Sequence, residues 1–364
     1  MSDHTILKPR TDRNQGVDLL RNLSMFMVVM LHVLGLGGLL EATQGQTIKY
    51  ESLKVLHIGA MCAVNCYGLI SGYVGYRSKW RLSSIANLWL QVFFYSAGFG
   101  VVFYVLMPGT VGLKDLIKLS LPVLMQRYWY FTAYVALFFT MPLLNAAIDR
   151  IPKKLFEISF GGLLFLLTVC QQTVMVNNPF GTNSGYSYLW LMVLYCVGAY
   201  LGKYGVSFKK PSKALLLYVG SVAVCWVSQF ALRRLGVGGA NRLEGYNSPF
   251  VFLMGIALVL LFANMQVPKW LAKLSAIFAP VSFGVYLVHL HPMIHDHVML
   301  NAFVFLAKLP AWTMIPVAIG LTVAIFLICA AIDYVRLGLF RLLRIKQLLV
   351  KLESKFFPNN GGIQ

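Results

Sequence analysis

Few side chains in this sequence could do chemistry, and three of them share one stretch, VDLLRNLSMFMVVMLHV (Val17–Val33): Asp18, Arg21 and His32. A guanidinium matches phosphate through its planar fork of donors. An imidazole, with an ordinary pKa of about 6.5, serves as base or nucleophile at neutral pH. Arg21 and His32 are eleven residues apart, close to three helical turns, so on a helix they share a face roughly 16 Å apart along the axis. Asp18 reaches Arg21 at spacing i, i+3 but is too far away to orient His32. The pattern suits one long ligand, with phosphates at Arg21 and a reactive end at His32. Snorkelling to the interface would explain Arg21 but not a histidine deep in an apolar run, because ionisable groups in hydrocarbon are costly.

A second group lies in VYLVHLHPMIHDHVM, with His289, His291, His295, Asp296 and His297. Its spacings do not bring the histidines to one helical face, and Pro292 interrupts it, so no metal site is expected. His289, deeper in the apolar run, is a candidate for a polar contact inside the fold, and His57 is read as interfacial. The six cysteines lie in apolar segments without a disulfide framework or CxxC pattern, as buried small apolar residues do.

These residues sit in an unusually apolar chain. Of 364 residues, 58% are hydrophobic and 12% charged, against about 25% charged in soluble domains, and the mean hydropathy is +0.70. A polytopic, all-α integral membrane protein follows. Runs long enough to span fall near 17–40, 55–76, 84–107, 128–149, 154–176, 186–203, 213–235, 247–266, 274–295 and 311–334, about ten transmembrane helices. NNPFGTNSG (Asn177–Gly185) divides the long run from Ile158 to Gly202, since Pro, Gly and Asn favour a turn. No cleavable signal peptide is expected, and LKDLIKLSLPVLMQ reads as interfacial or re-entrant.

The net charge of +19 has a topological origin. With the N-terminus inside, inner segments hold 21 Lys+Arg, from Lys8 and Arg10 to the tail, against nine outside, while Arg21 lies on the first helix. Both termini are therefore expected in the cytoplasm. Basic residues in short patches between apolar runs also argue against nucleic-acid binding. Residues 1–335 are read as the transmembrane domain and 336–364 as a basic amphipathic tail along the inner surface.

The opening stretch resembles the first helix of the acyltransferase 3 family, integral membrane acyltransferases, whose Asp, Arg and His fall on Asp18, Arg21 and His32. In the same order, YGLISGYVGY (67–76), RYWYFTAYVALFFTMPLLN (127–145) and FGVYLVHLHP (283–292) are similar to later family segments. Many members carry two arginines three apart near the third helix; here YRSKWRLSS puts Arg77 and Arg81 four apart, with Lys79 between.

The resemblance implies a bacterial inner-membrane O-acyltransferase of the subgroup that decorates surface polysaccharides. The donor would be a cytoplasmic acyl-CoA, most simply acetyl-CoA, with no metal, and the acceptor a hydroxyl of a polysaccharide or lipid-linked glycan. His32 would be catalytic, as base or as acyl carrier. Arg21, Asp18, Arg77 and Arg81 would hold the donor, and Trp129, Tyr134 and His289 would meet substrate. His32 needs an orienting partner and an oxyanion donor from other helices; Tyr134, Asn65, Ser71, Tyr286 and His289 are the candidates. Trp129, Tyr130 and Trp190 could stack on a sugar, although membrane borders enrich for such anchors anyway. The competing reading is a polysaccharide or lipid-linked sugar transporter; it leaves the ordered family segments unexplained.

Overall fold

The computed structural model of the chain describes residues 13–173, 177–208 and 210–357. Lys8, Arg10 and Lys209 of the charge count lie outside them, as do 174–176 of the fifth expected span and 358–364 of the tail. The principal helices are α1 (Gln15–Leu34), α2 (Thr47–Ala60), α3 (Ala63–Gly75), α4 (Leu82–Leu106), α5 (Leu113–Ser120), α6 (Trp129–Arg150) and α7 (Lys153–Phe165). They continue with α8 (Tyr188–Tyr204), α9 (Pro211–Arg234), α10 (Pro249–Ala263), α11 (Lys269–Phe278), α12 (Ser282–His289), α13 (Ala311–Leu342) and α14 (Ile345–Phe356). No strand occurs among the described residues.

Eight helices are long and apolar enough to cross a membrane. Three of these spans carry a short break: α2 with α3, α7 with its extension to Thr173, and a short turn from Asn241 with α10. α11 and α12 form a further, bent pair with 46° between them, and α8, 17 residues long, occupies the remaining expected span. The protein is thus an all-α polytopic membrane protein, and each segment read from hydropathy corresponds to one of these elements. The short α5 lies where a re-entrant or interfacial piece was expected.

α1 runs through the middle, packed against α2, α3, α10, α11, α12 and α13. Its start is fixed locally: the Asn14 side chain accepts from Val17 N at 3.1 Å, satisfying an amide that has no partner within the helix. Asn14 also donates to Ala263 O of α10 at 2.9 Å. Its far end is held by backbone pairing across the loops, Asn301 N to Leu36 O and Phe303 N to Gly37 O. Both ends of the helix carrying Arg21 and His32 are therefore anchored.

The tightest helix pair is α3 with α8. Without a hydrophobic drive between helices in lipid, close packing needs small residues that let backbones touch. α3 supplies Gly68 and Gly72, and α8 supplies Gly198 and Gly202, each pair four apart. A Cβ added at Gly72 would lie 1.9 Å from Tyr195 O, and one at Gly198 2.0 Å from Leu69 O.

A buried ion pair ties the bent span to its neighbours. Asp333 of α13, fully buried, takes Arg336 Nε at 2.9 Å and Nη2 at 2.6 Å. Tyr95 Oη and Gln91 Nε2 of α4 add bonds of 2.7 Å and 3.3 Å. Four hydrogen bonds from three side chains thus satisfy a carboxylate that hydrocarbon would not tolerate alone. Gly284 of α12 leaves the space this carboxylate occupies, since a Cβ there would sit 1.9 Å from Asp333 Cγ. The boundary drawn at 335/336 falls within this continuous helix, and Arg336 belongs to the bundle interior. The tail helix α14 returns to α4, where Glu353 accepts from Leu82 N at 2.7 Å and Ser83 Oγ at 2.5 Å, a carboxylate placed at a helix N-terminus as the dipole favours.

The glycine seam gives a direct stability test. Gly72→Ala should cost about 1–3 kcal/mol, as forced overpacking does. Gly161→Ala, where an added Cβ meets nothing within 4 Å, should stay within about 0.5 kcal/mol. Thermal unfolding in detergent, followed by tryptophan fluorescence, reads both, and equal melting temperatures would remove the seam's claimed role.

Candidate active site

The two helices that matter most for chemistry end side by side. His32 lies in the last turn of α1 and His289 closes α12. His32 Nδ1 is 3.1 Å from His289 Nε2, and His289 Nδ1 is 2.6 Å from Val285 O. Proton bookkeeping then assigns the tautomers. A carbonyl can only accept, so His289 carries its proton on Nδ1 and, as a neutral imidazole, offers a lone pair at Nε2. His32 must donate from Nδ1, which leaves the lone pair of Nε2 free. Among the described residues nothing bonds that nitrogen, and the side chain is partly accessible, whereas His289 is 1% exposed. An imidazole held by one nitrogen with the other open can take a proton or attack a carbonyl.

A column of phenols joins this pair to Arg21. Tyr67 Oη donates to the Arg21 carbonyl at 2.8 Å and meets Ser282 Oγ at 3.1 Å, bridging α1, α3 and α12. From Tyr67 the ring contacts pass to Tyr130 at 6.2 Å, to Tyr286 at 6.5 Å, and from there to His289 at 6.5 Å. Tyr134 stacks on Tyr130 with 17° between the rings and stands within electrostatic reach of Arg21. Such a column is mostly apolar in area, with hydroxyls at intervals.

Arg21 is about one-third exposed and bonds Asp18 Oδ1 at 2.9 Å. Asp18, nearly buried, also pairs with Arg13. Two cations around one carboxylate leave an excess positive charge at this mouth, suited to an anionic group.

The residues singled out from sequence separate into three sets. Asp18 with Arg21, and His32 with His289, are brought together. His289 was expected to meet substrate; it lies behind His32 instead, with both ring nitrogens engaged. Arg77 and Arg81 are exposed near the start of α4, and among the described residues no hydrogen bond or ion pair links them to Arg21. Trp129 is half-buried, its ring 4.8 Å from Tyr186 and 6.1 Å from Tyr246. Trp190 is fully buried and donates to Asn65 Oδ1 at 3.0 Å, while Asn65 donates to Tyr246 O at 2.7 Å. That bond removes Trp190 from any stacking role and Asn65 from oxyanion duty. Ser71 is likewise spent on Tyr67 O. His291 is buried, bonding Ser96 O and capping the next turn through Met293 N, and His295 pairs with Asp296 at the surface.

Sequence reading missed Tyr67 and Asp333. Tyr67 opens the segment YGLISGYVGY, so its place was visible although its role was not.

A family model described as an acyltransferase domain matches residues 14–334, nearly the whole chain. No curated protein matches the chain, and no solved structure does. The match begins at the cap of α1, ends beside the buried Asp333, and takes in both histidines, Arg21 and the tyrosine column. The chain belongs to the acyltransferase 3 family of membrane acyltransferases.

Proposed function

We propose that this acyltransferase moves an acyl group, acetyl in the simplest case, from cytoplasmic acyl-CoA to a hydroxyl of a surface or lipid-linked polysaccharide in the bacterial inner membrane. The observation that carries the reading is the free Nε2 of His32, held by His289 at one end of a tyrosine column whose other end is Arg21. The donor's phosphates meet Arg21, Asp18 orients that guanidinium, and Arg77 and Arg81 add positive field at the same face. The thin arm of the donor follows the tyrosine column, and its thioester reaches His32.

In the reaction, His32 Nε2 takes the proton of the acceptor hydroxyl as its oxygen attacks the thioester carbon. The new C–O ester bond forms, the C–S bond breaks, and the departing thiolate receives the proton from the imidazolium. His289 keeps the His32 ring oriented throughout, as a positioning residue. Tyr286 and Tyr134 stand nearest the path with hydroxyls to offer the developing oxyanion, and Trp129 supplies a flat face for a sugar ring. No metal enters this scheme. An acyl group carried on Nε2 itself is the other route open to the same nitrogen, marked by label retained on the protein when acceptor is withheld.

Transfer of radiolabelled acetyl from acetyl-CoA in membranes carrying each variant tests the reading. His32→Ala should lower transfer by a factor of about 10² to 10⁴, the usual worth of a positioned base; unchanged labelling would sink the assignment. His289→Ala should also lose most activity. His289→Gln, whose amide oxygen can still accept from His32 Nδ1, should recover a good part of it, and equal loss in the two variants would mean that His289 does not act through the hydrogen bond. Arg21→Ala should raise the donor KM by about tenfold with kcat retained, as loss of ground-state and transition-state binding together does. Arg21→Lys should recover little of that, because lysine lacks the fork. A kcat effect without a KM effect would place Arg21 outside donor binding.

A further inference from the structure

α9 packs against α2 and α10 and leaves the greater part of its apolar length unburied. Its two faces differ. The inward face carries its polar contacts: Tyr218 Oη donates to Gly59 O at 3.0 Å, Cys225 Sγ to Leu243 O at 3.4 Å, and Trp226 Nε1 to Glu51 at 2.9 Å. The other face carries Lys213, Leu216, Leu217, Gly220 and Val224, spaced i, i+3, i+4, i+7 and i+11 as one helical stripe requires. Together with Phe208, and with Phe250 and Leu253 of α10, this stripe lines a groove of about 630 Å³. Gly220 keeps it open, since a Cβ added there meets nothing within 4 Å.

The groove occupies half of the membrane's depth, on the Arg21 side. Asn14, at the start of α1, bonds Ala263 at the end of α10. α9 runs antiparallel to α10 and joins it at the far end through residues 235–248, so the start of α9 lies on the same face as Arg21. From Lys213 to Val224 the stripe rises about 16 Å, close to half of a hydrocarbon core roughly 30 Å thick. Val224 stands near the midpoint of this 24-residue helix. The outer rim of the groove is basic and unneutralised. Lys210 and Lys213 are exposed, and among the described residues neither side chain has an ion-pair or hydrogen-bond partner. No Asp or Glu is among the lining residues or in the first turn of α9, where the helix dipole also turns its positive end outward.

Cations at the membrane surface beside an apolar slot one leaflet deep match a lipid with an anionic head, since lysine serves phosphate as a point charge. A second copy of the chain fits less well. Close helix contact in lipid needs small residues four apart, as in the seam of α3 with α8, whereas Gly220 has Leu216 and Val224 at those spacings, 73% and 50% exposed. We propose that the α9–α10 groove binds an anionic phospholipid of the leaflet on the Arg21 side, with one acyl chain lying over Gly220 and the phosphate held by Lys213 and Lys210. α10 packs directly on α1, so an occupied groove braces the helix that carries Arg21 and His32. The inference stands apart from the acyl-transfer reading, because neither lysine belongs to the donor site proposed there.

Native mass spectrometry of the full-length protein in a neutral detergent resolves individual bound lipids. The probes are phosphatidylglycerol and phosphatidylcholine with identical acyl chains. Wild type should bind one phosphatidylglycerol at least tenfold more tightly than phosphatidylcholine, because each lysine beside an anionic lipid is worth about fivefold in affinity. Lys210→Gln combined with Lys213→Gln should erase that preference. Gly220→Phe, whose ring enters the groove rather than the protein, should weaken phosphatidylglycerol binding by tenfold or more with both lysines still present. The lysine pair, at the exposed surface, keeps the test readable if Gly220→Phe fails to fold. Lys346→Gln with Lys351→Gln, on the exposed side of α14, should leave the tight site unchanged, and inorganic phosphate should not displace the lipid. Equal affinity of wild type for the two lipids, a preference that survives loss of both groove lysines, or unaltered binding in Gly220→Phe would overturn the proposal. So would loss of the site in the α14 variant, displacement by inorganic phosphate, or a dimer that Gly220→Phe dissociates.

Discussion

Two imidazoles in contact inside a helical bundle, His32 Nδ1 at 3.1 Å from His289 Nε2, share one proton across the gap, and the Val285 carbonyl decides which ring supplies it. Much of the surrounding architecture keeps that short chain in line. α12 must end beside the end of α1, so both ends are tethered, one by backbone pairing to residues 301 and 303 and the other by the bent span. The bend in turn sits against Asp333, through the gap left by Gly284. A sub-ångström demand at one hydrogen bond thus propagates into a glycine, a buried ion pair and a tyrosine bridge on neighbouring helices. This is how a positioned group acquires a rigid support.

Sequence reading reached the parts of this arrangement that obey periodicity. Apolar runs gave the spans, because hydrocarbon thickness sets their length. Helical rise put Arg21 and His32 on one face at a distance no side chain can bridge. It also implied that the partner of His32 comes from another helix, and His289 of α12 fills that place. The segment around His289 was noticed for its histidines, but no spacing rule distinguishes a ring that touches substrate from one that stands behind the reactive group. That depends on where α12 ends relative to α1, a long-range fact.

The buried ion pair was missed for a related reason. Asp333 and Arg336 lie three apart near the inner end of the last apolar run, where charges ordinarily mark a helix leaving the membrane. Their burial comes from Gln91, Tyr95 and Gly284, scattered over two other helices, so local sequence carries no sign of it. The paired glycines of α3 and α8 are the opposite case. Their four-residue spacing is a known mark of close helix contact, and only the pairing of one motif with the other required the fold.

The choice of a second histidine to orient the first has a physical logic peculiar to this setting. In soluble hydrolases a carboxylate commonly holds the catalytic imidazole and steadies its positive form. Inside a membrane bundle a carboxylate in that place would carry a full charge through every resting moment, and burying it would demand a compensating cation, as Asp333 demands Arg336. His289 holds the ring through a donor–acceptor chain that is neutral at rest. In the proposed reaction, charge arises only while His32 holds a proton, and departs with the leaving thiolate. The permanent carboxylate on the same helix, Asp18, serves Arg21 at the mouth, where solvent and a second cation share its field. On the proposed reading, the separation of Asp18 from His32 along α1 is a division of labour: fixed charge stays where the donor's phosphates would enter, and transient charge is confined to where the acyl group would move.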